Sequence, residues 1–166
     1  MMNSRTAEAL PHKKRKAVRR IVMLDIENVN GGAVEDVLSA TNACAEVADA
    51  ITLRADEQVV IGVGPSSLLA TGASQPRARV VMGRGLDGAD KALVSVLQNE
   101  GLADRFDEVV IASGDGMFSD VAAQLAAQGM TVTVVARGGC LSTRLRLAAR
   151  YVVVLPDFEP IYGEAA

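Results

Sequence analysis

Short apolar runs alternate along this chain with stretches in which apolar residues recur every three or four positions. Residues 20–25 are a near-continuous apolar run ending in an acid, the pattern of a strand buried on both faces. Over residues 34–53 the positions of Val34, Val37, Leu38, Cys44, Val47, Ala48 and Ile51 have helical spacing. A second strand is predicted over 58–63, and a short helix starts in 65–69, where Pro65 suits the first turn. A third strand follows at 77–82. The next helix, 89–98, carries Leu93, Val94, Val96 and Leu97 near one face and is stopped by Gly101. A fourth strand is predicted at 108–112, a helix at 118–128 closed by Gly129, a fifth strand at 131–136 and a short helix at 142–150. Residues 151–155 leave room for a sixth strand. Strands alternating with helices at this spacing predict βαβ units with right-handed crossovers, and so an α/β fold around a parallel sheet.

Composition agrees. Of the 166 residues 49% are hydrophobic but only 3% aromatic, and Trp is absent. A core of Val, Leu, Ile and Ala suits a sheet covered on both faces, and the length suits one domain. Cys44 and Cys140 are far apart in sequence, which excludes a disulfide framework and a soft-metal cluster. Each is expected to be a small buried hydrophobe. No apolar run reaches the ~18 residues that span a bilayer, so a cytoplasmic protein without membrane contact is expected.

Charge changes the picture at one end. Residues 1–20 hold seven basic side chains and one acid, whereas the rest holds ten basic and nineteen acidic ones. The expected organisation is a basic, disordered arm over 1–19, a folded domain over 20–157 and a tail over 158–166. Lys13, Lys14, Arg15 and Lys16 in the arm are candidates for contact with a nucleic-acid backbone. A solubilising tail explains the same residues.

Three acids stand where a strand hands over to a helix: Asp25, Asp90 and Asp115. In an open parallel sheet ligands bind at the carboxyl ends of the strands. Carboxylates converging there repel one another unless a hard cation with a taste for oxygen neutralises them. Each acid also has a purely local explanation. Asp25 and Asn28, with Glu27 in the same loop, are turn residues. Asp87 and Asp90 have the spacing of a helix cap with an acid three residues on. Asp115 can cap the next helix, though glycine on both sides of it also allows backbone and ligand to approach closely. Asp120 can complete an acidic cluster or favour its own helix dipole. Gly62-Val63-Gly64 fails as a dinucleotide fingerprint, having no third glycine and following the wrong strand. The one histidine, His12, lies in the arm, which excludes a histidine-based triad in the body and disfavours zinc. Arg146 and Arg150, four apart, can share a helix face suited to phosphate, with Arg144 and Arg137 nearby in sequence.

Asp25-x-Glu27-Asn28, the helix start Gly-Ala-Asp90-Lys-Ala-Leu, and Ser113-Gly114-Asp115-Gly116-x-Phe118, in this order, resemble the NYN domain of PIN-like nucleases over roughly residues 20–155. The resemblance implies a three-layer Rossmann-like (PIN-like) sheet of order 3-2-1-4-5 with helices on both faces. It also implies Mg²⁺- or Mn²⁺-dependent RNA cleavage. Asp25, Asp90 and Asp115 match the family's acidic, metal-holding and catalytic positions, with Asn28 and Ser113 as polar partners. Met117 stands where many members carry another acid; either Asp120 or Asp87 replaces it, or the site holds only one metal. Few aromatics imply little base stacking and weak sequence preference, with single-stranded RNA the expected partner. A second copy of the chain is a further candidate partner. Two other readings compete: a non-catalytic RNA-binding module, favoured by Met117, and a phosphoryl-acceptor domain of the receiver type. The latter needs a basic residue by the site at the end of the fifth strand, where Arg137 stands.

Overall fold

The computed structural model describes residues 17–158. The arm residues Lys13, Lys14, Arg15, Lys16 and His12 lie outside the described residues. Six parallel strands form one sheet: β1 (Arg20–Asp25), β2 (Gln58–Val63), β3 (Arg79–Met82), β4 (Glu108–Ala112), β5 (Thr131–Arg137) and β6 (Tyr151–Leu155). Their order is 3-2-1-4-5-6, the expected arrangement extended by β6, which pairs with β5 from Thr133↔Tyr151 to Arg137↔Leu155.

Alternation along each strand sorts the core into two layers. Ile21, Met23, Val109 and Ile111 face α4 (Gly88–Asn99), α5 (Leu102–Arg105), α6 (Ser119–Ala127) and α7 (Thr143–Ala148). Val22, Leu24, Val110 and Ala112 face α1 (Ile26–Asn30), α2 (Val37–Ile51) and α3 (Leu68–Ser74). The chain moves outward from β1 to β2 and β3 and then returns to place β4 on the other side of β1. The order therefore reverses between β1 and β4, and a crevice opens there at the carboxyl ends.

Several helices differ from their predicted spans. Residues 26–30, expected to be loop, form α1, because the Asp25 carboxylate caps it by accepting from the Asn28 amide at 3.2 Å. One turn is too short to show a helical period. The helix predicted from 34 starts at Val37, since Asp36 caps it at the Ser39 amide (2.8 Å). Val34 is instead a buried plug whose amide donates to Ser67 Oγ at 2.9 Å. The helix predicted over 142–150 ends at Ala148. Arg150 then bonds through its amide to Val132 O, near the start of β5, so Arg146 and Arg150 do not share a helix face. Cys44 is buried as expected and its thiol is pushed up to about 11 by burial, but Cys140 is exposed, in the 3-10 turn Gly138–Cys140. At the other end Arg19 is tied to the body, its amide donating to Asp107 Oδ2 at 2.9 Å.

Candidate active site

Asp25 ends β1, and strand parity puts it on the face of Ile21 and Met23. That face is covered by α4, whose buried stripe includes Leu93 and Leu97. Asp90, three residues before Leu93 and seven before Leu97, lies on the same stripe one turn nearer the crevice. The two carboxyls therefore meet, joined by a side-chain hydrogen bond. Gly62, the β2 partner of Asp25, makes this approach possible. A Cβ there would sit 2.6 Å from the Leu93 side chain and 3.0 Å from Ala89 O.

The electrostatics record the crowding. Burial, with 4% of Asp25 exposed, pushes its carboxyl above the ordinary range, although hydrogen bonds to Asp90, Asn28 and Ser113 pull it back. Asp90 is pushed up to about 8, first by burial, then by its hydrogen bond with Asp25 and by the charges of Asp25, Asp115 and Asp87. Burial and crowding thus favour the protonated form at this pair. Asp115 belongs to the same field, but its carboxylate is engaged in capping, accepting from the Met117 amide at 2.7 Å.

Polar partners fasten these groups. The Asp115 amide donates to Ser113 Oγ (3.2 Å), and Ser113 Oγ donates to Asp25 Oδ2 (2.9 Å). Asn28 Oδ1 accepts from the Gly114 amide at 2.9 Å, locking α1 to the loop after β4. Glu27, which the sequence placed free in a loop, accepts from the Gly64 amide (2.9 Å) and Ser67 Oγ (2.7 Å) and so ties α1 to the loop after β2. No local signal in the sequence marks this contact, because Gly64 and Ser67 lie 37 and 40 residues away from Glu27.

Asp25, Glu27, Asn28, Asp87 and Asp90 line a crevice of about 220 Å³. Another cavity, about 160 Å³ under α2, is lined by Val22, Leu24, Cys44 and other mainly apolar residues and holds no acid that could serve hydrolysis. Asp87 occupies the cap position of α4 in a left-handed conformation (φ 55°) and its side chain caps nothing, so the expected capping arrangement is absent. Asp120 does not join the cluster, because its exposed carboxylate pairs with Arg144 at 2.8 Å. The glycine before Asp115 serves packing within the chain, since a Cβ on Gly114 would lie 2.3 Å from Cys140 O. Arg146 is exposed on α7, whereas Arg150 donates to the Tyr151 hydroxyl at 3.1 Å away from the crevice. Arg137 is buried by Glu46 (2.7 Å), Val29 O and Pro156 O and so is not the basic residue over the acids that a receiver would need.

An all-oxygen donor set, crowded enough that one member stays protonated near neutrality, suits a hard divalent cation. Among the described residues no three acidic, histidine or cysteine side chains are yet spaced to ligate one directly. Asp25 and Asp90 are close together, and Asp115 acts on Asp90 at longer range.

The fold and its crevice define a Rossmann-like, PIN-like α/β domain with carboxyls at the topological switch point. The chain belongs to the NYN domain family, whose model matches residues 19–156 and whose members are typically nucleases. Among solved structures, a protein of unknown function from Vibrio parahaemolyticus is similar, with a TM-score of 0.60 at 17% identity over 87% of this chain and 97% of that one. At that identity the likeness is one of fold. No curated protein matches the chain. Among the described residues no helix is long and apolar enough to cross a membrane.

Proposed function

We propose that this domain is a ribonuclease that cleaves phosphodiester bonds with Mg²⁺ or Mn²⁺ held by Asp25 and Asp90 directly and by Asp115 through water. The observation that carries this reading is the meeting of the Asp25 and Asp90 carboxyls in one crevice at the switch point. A divalent cation would be held by these two carboxylates and would offset the burial that raises both of them, together with the charge that Asp90 meets from its acidic neighbours. When bound, it polarises the scissile phosphate and makes a bound water more acidic. The chain's own residues do the rest. Ser113 holds Asp25 in its orientation. Asn28, whose Oδ1 is committed to Gly114, has its amide group left to meet a phosphate oxygen. Arg146, exposed and without a partner among the described residues, is suited to the RNA backbone, and the basic arm adds attraction that salt screens.

The test is metal-dependent cleavage of single-stranded RNA by the whole chain. Asp25→Asn, Asp90→Asn and Asp115→Asn should each lower kcat by at least ~10²-fold with native circular dichroism retained. Unchanged turnover in these variants sinks the proposal.

A second reading, an RNA-binding module without catalysis, is favoured by Met117 and by the lack of three direct ligands among the described residues. It predicts RNA binding with no cleavage across a range of Mg²⁺ and Mn²⁺. Efficient metal-dependent cutting rejects it.

A further inference from the structure

Arginines and lysines on this domain are mostly committed. Arg19, Arg20, Arg54, Arg79, Arg137 and Arg144 are in ion pairs. Lys91 donates to Leu86 O at 2.8 Å, Arg150 donates to Tyr151, and Arg105 lies over the Phe106 ring. Among the described residues this leaves Arg77, Arg84 and Arg146 without a partner. Arg77 borders the hollow at the amino ends of the strands, beside Ile21 and Gln58. Arg84 is at the opposite end, in the loop of residues 83–88 that joins β3 to α4. Gly85, Asp87 and Gly88 of this loop line the crevice with Asp25 and Asp90.

The loop is held in shape. Its ends touch so closely that a Cβ on Gly83 would overlap Gly88 O at 1.7 Å. The Gly88 amide donates to Gly85 O at 3.1 Å, the Gly83 amide donates to Val63 O at 3.1 Å, and Lys91 holds Leu86 O. Its tip therefore presents two side chains that nothing in the described chain uses: the Arg84 guanidinium, and Leu86, which is 83% exposed. An unpaired cation two residues from an uncovered apolar side chain, in the loop whose Gly85 and Asp87 line the carboxylate crevice, has the chemistry of a nucleotide contact. Guanidinium takes phosphate and leucine takes the face of a base.

We infer that the tip formed by Arg84 and Leu86 is a nucleotide subsite beside the cleavage crevice, Arg84 holding a backbone phosphate and Leu86 packing on a base. The inference rests on the nucleic-acid reading above and adds where the strand leaves the crevice. The carboxyl ends of β3 and β1 are two strand spacings apart, about 10 Å. That puts the held phosphate on a nucleotide near the scissile one and not on the scissile phosphate itself. The strand thus crosses the ends of β1, β2 and β3, with Arg146 on the other side of the switch point.

The experiment measures binding of the full chain, without metal so that nothing is cut, to a fluorescein-labelled single-stranded RNA over a range of salt. For single strands each lost phosphate contact lowers the slope of log affinity against log salt by about 0.7. Arg84→Gln should lower it by that amount, Arg84→Lys should restore it, and Arg77→Gln, at the far end of the sheet, should leave it unchanged. Leu86→Ala should weaken binding about three- to tenfold without changing the slope, as loss of part of a leucine's burial would. Its effect should vanish on an abasic ribose-phosphate strand of the same length. If wild-type protein binds RNA but Arg84→Gln keeps the wild-type slope, or Arg77→Gln loses as much, the subsite is overturned while the nuclease reading stands. If the wild-type chain does not bind RNA at all, both are overturned.

Discussion

Asp90 shows how one side chain records its surroundings. Its carboxyl is pushed up to about 8 from 3.8, so the folded protein holds that proton more tightly than the unfolded chain does. Stability that depends on the proton is then full below the unfolded value and is lost as pH rises toward 8. Metal-free protein should therefore melt at progressively lower temperature as pH is raised through this window. Asp90→Asn should flatten the curve, and Mn²⁺ should raise the melting temperature more at high pH than at low. A melting temperature that ignores both changes contradicts the crowding of Asp25 and Asp90. Arg137 is the opposite case, a buried cation fully matched by Glu46, Val29 O and Pro156 O and stacked 3.9 Å from the Phe158 ring centroid. Arg137→Met keeps much of the volume but strands Glu46 and two carbonyls. A loss of about 3 kcal/mol in urea unfolding is expected, with the pH dependence of melting that Asp90 sets retained.

At the scale of elements, the site depends on how closely α4 settles onto β2. Gly62→Ala would drive a methyl group into Leu93 and against Ala89 O. The expected outcome is a loss of about 1–3 kcal/mol. Because α4 carries Asp90, the pH dependence of melting should shrink as well, which an ordinary packing defect elsewhere would not cause. The helical stripe through Leu93 and Leu97 was legible in the sequence, and so was the strand ending at Asp25. That Asp90 extends the stripe into the crevice follows from its spacing. Local chemistry was less legible. Asp87 and Asp90 have the spacing of a cap, yet the left-handed turn at Asp87 aims its side chain at no amide. Asp120 sits in the first turn of α6, but its exposed carboxylate pairs with Arg144 from a separate helix. Helix α1 escaped prediction because five residues complete barely more than one turn, while its cap depends on a carboxylate that looked like a ligand.

Across the whole molecule, burial falls from the centre of the sheet to its edges. In β1 and β4 the apolar residues are almost wholly buried, whereas β3 and β6 keep exposed positions such as Met82, Tyr151 and Val154. Native-state hydrogen exchange followed by mass spectrometry should find β1 and β4 amides slowest and β3 and β6 amides fastest. Exchange led by β1 would contradict this core. The alternation of strand and helix, the parity of residues along each strand and the wealth of small aliphatics were properties of the sequence alone. They determined an α/β sheet covered on both faces, because periodicity and burial are local consequences of backbone geometry. Which acids meet was decided by the tertiary structure. Asp25 and Asp90 are joined while Asp120 is diverted, Arg137 is buried while Arg84 is left free, and Glu27 braces a loop. The pairings turn on partners distant along the chain, Asp90 for Asp25, Arg144 for Asp120, Glu46 for Arg137 and Gly64 for Glu27, which only the folded sheet and its helices bring near.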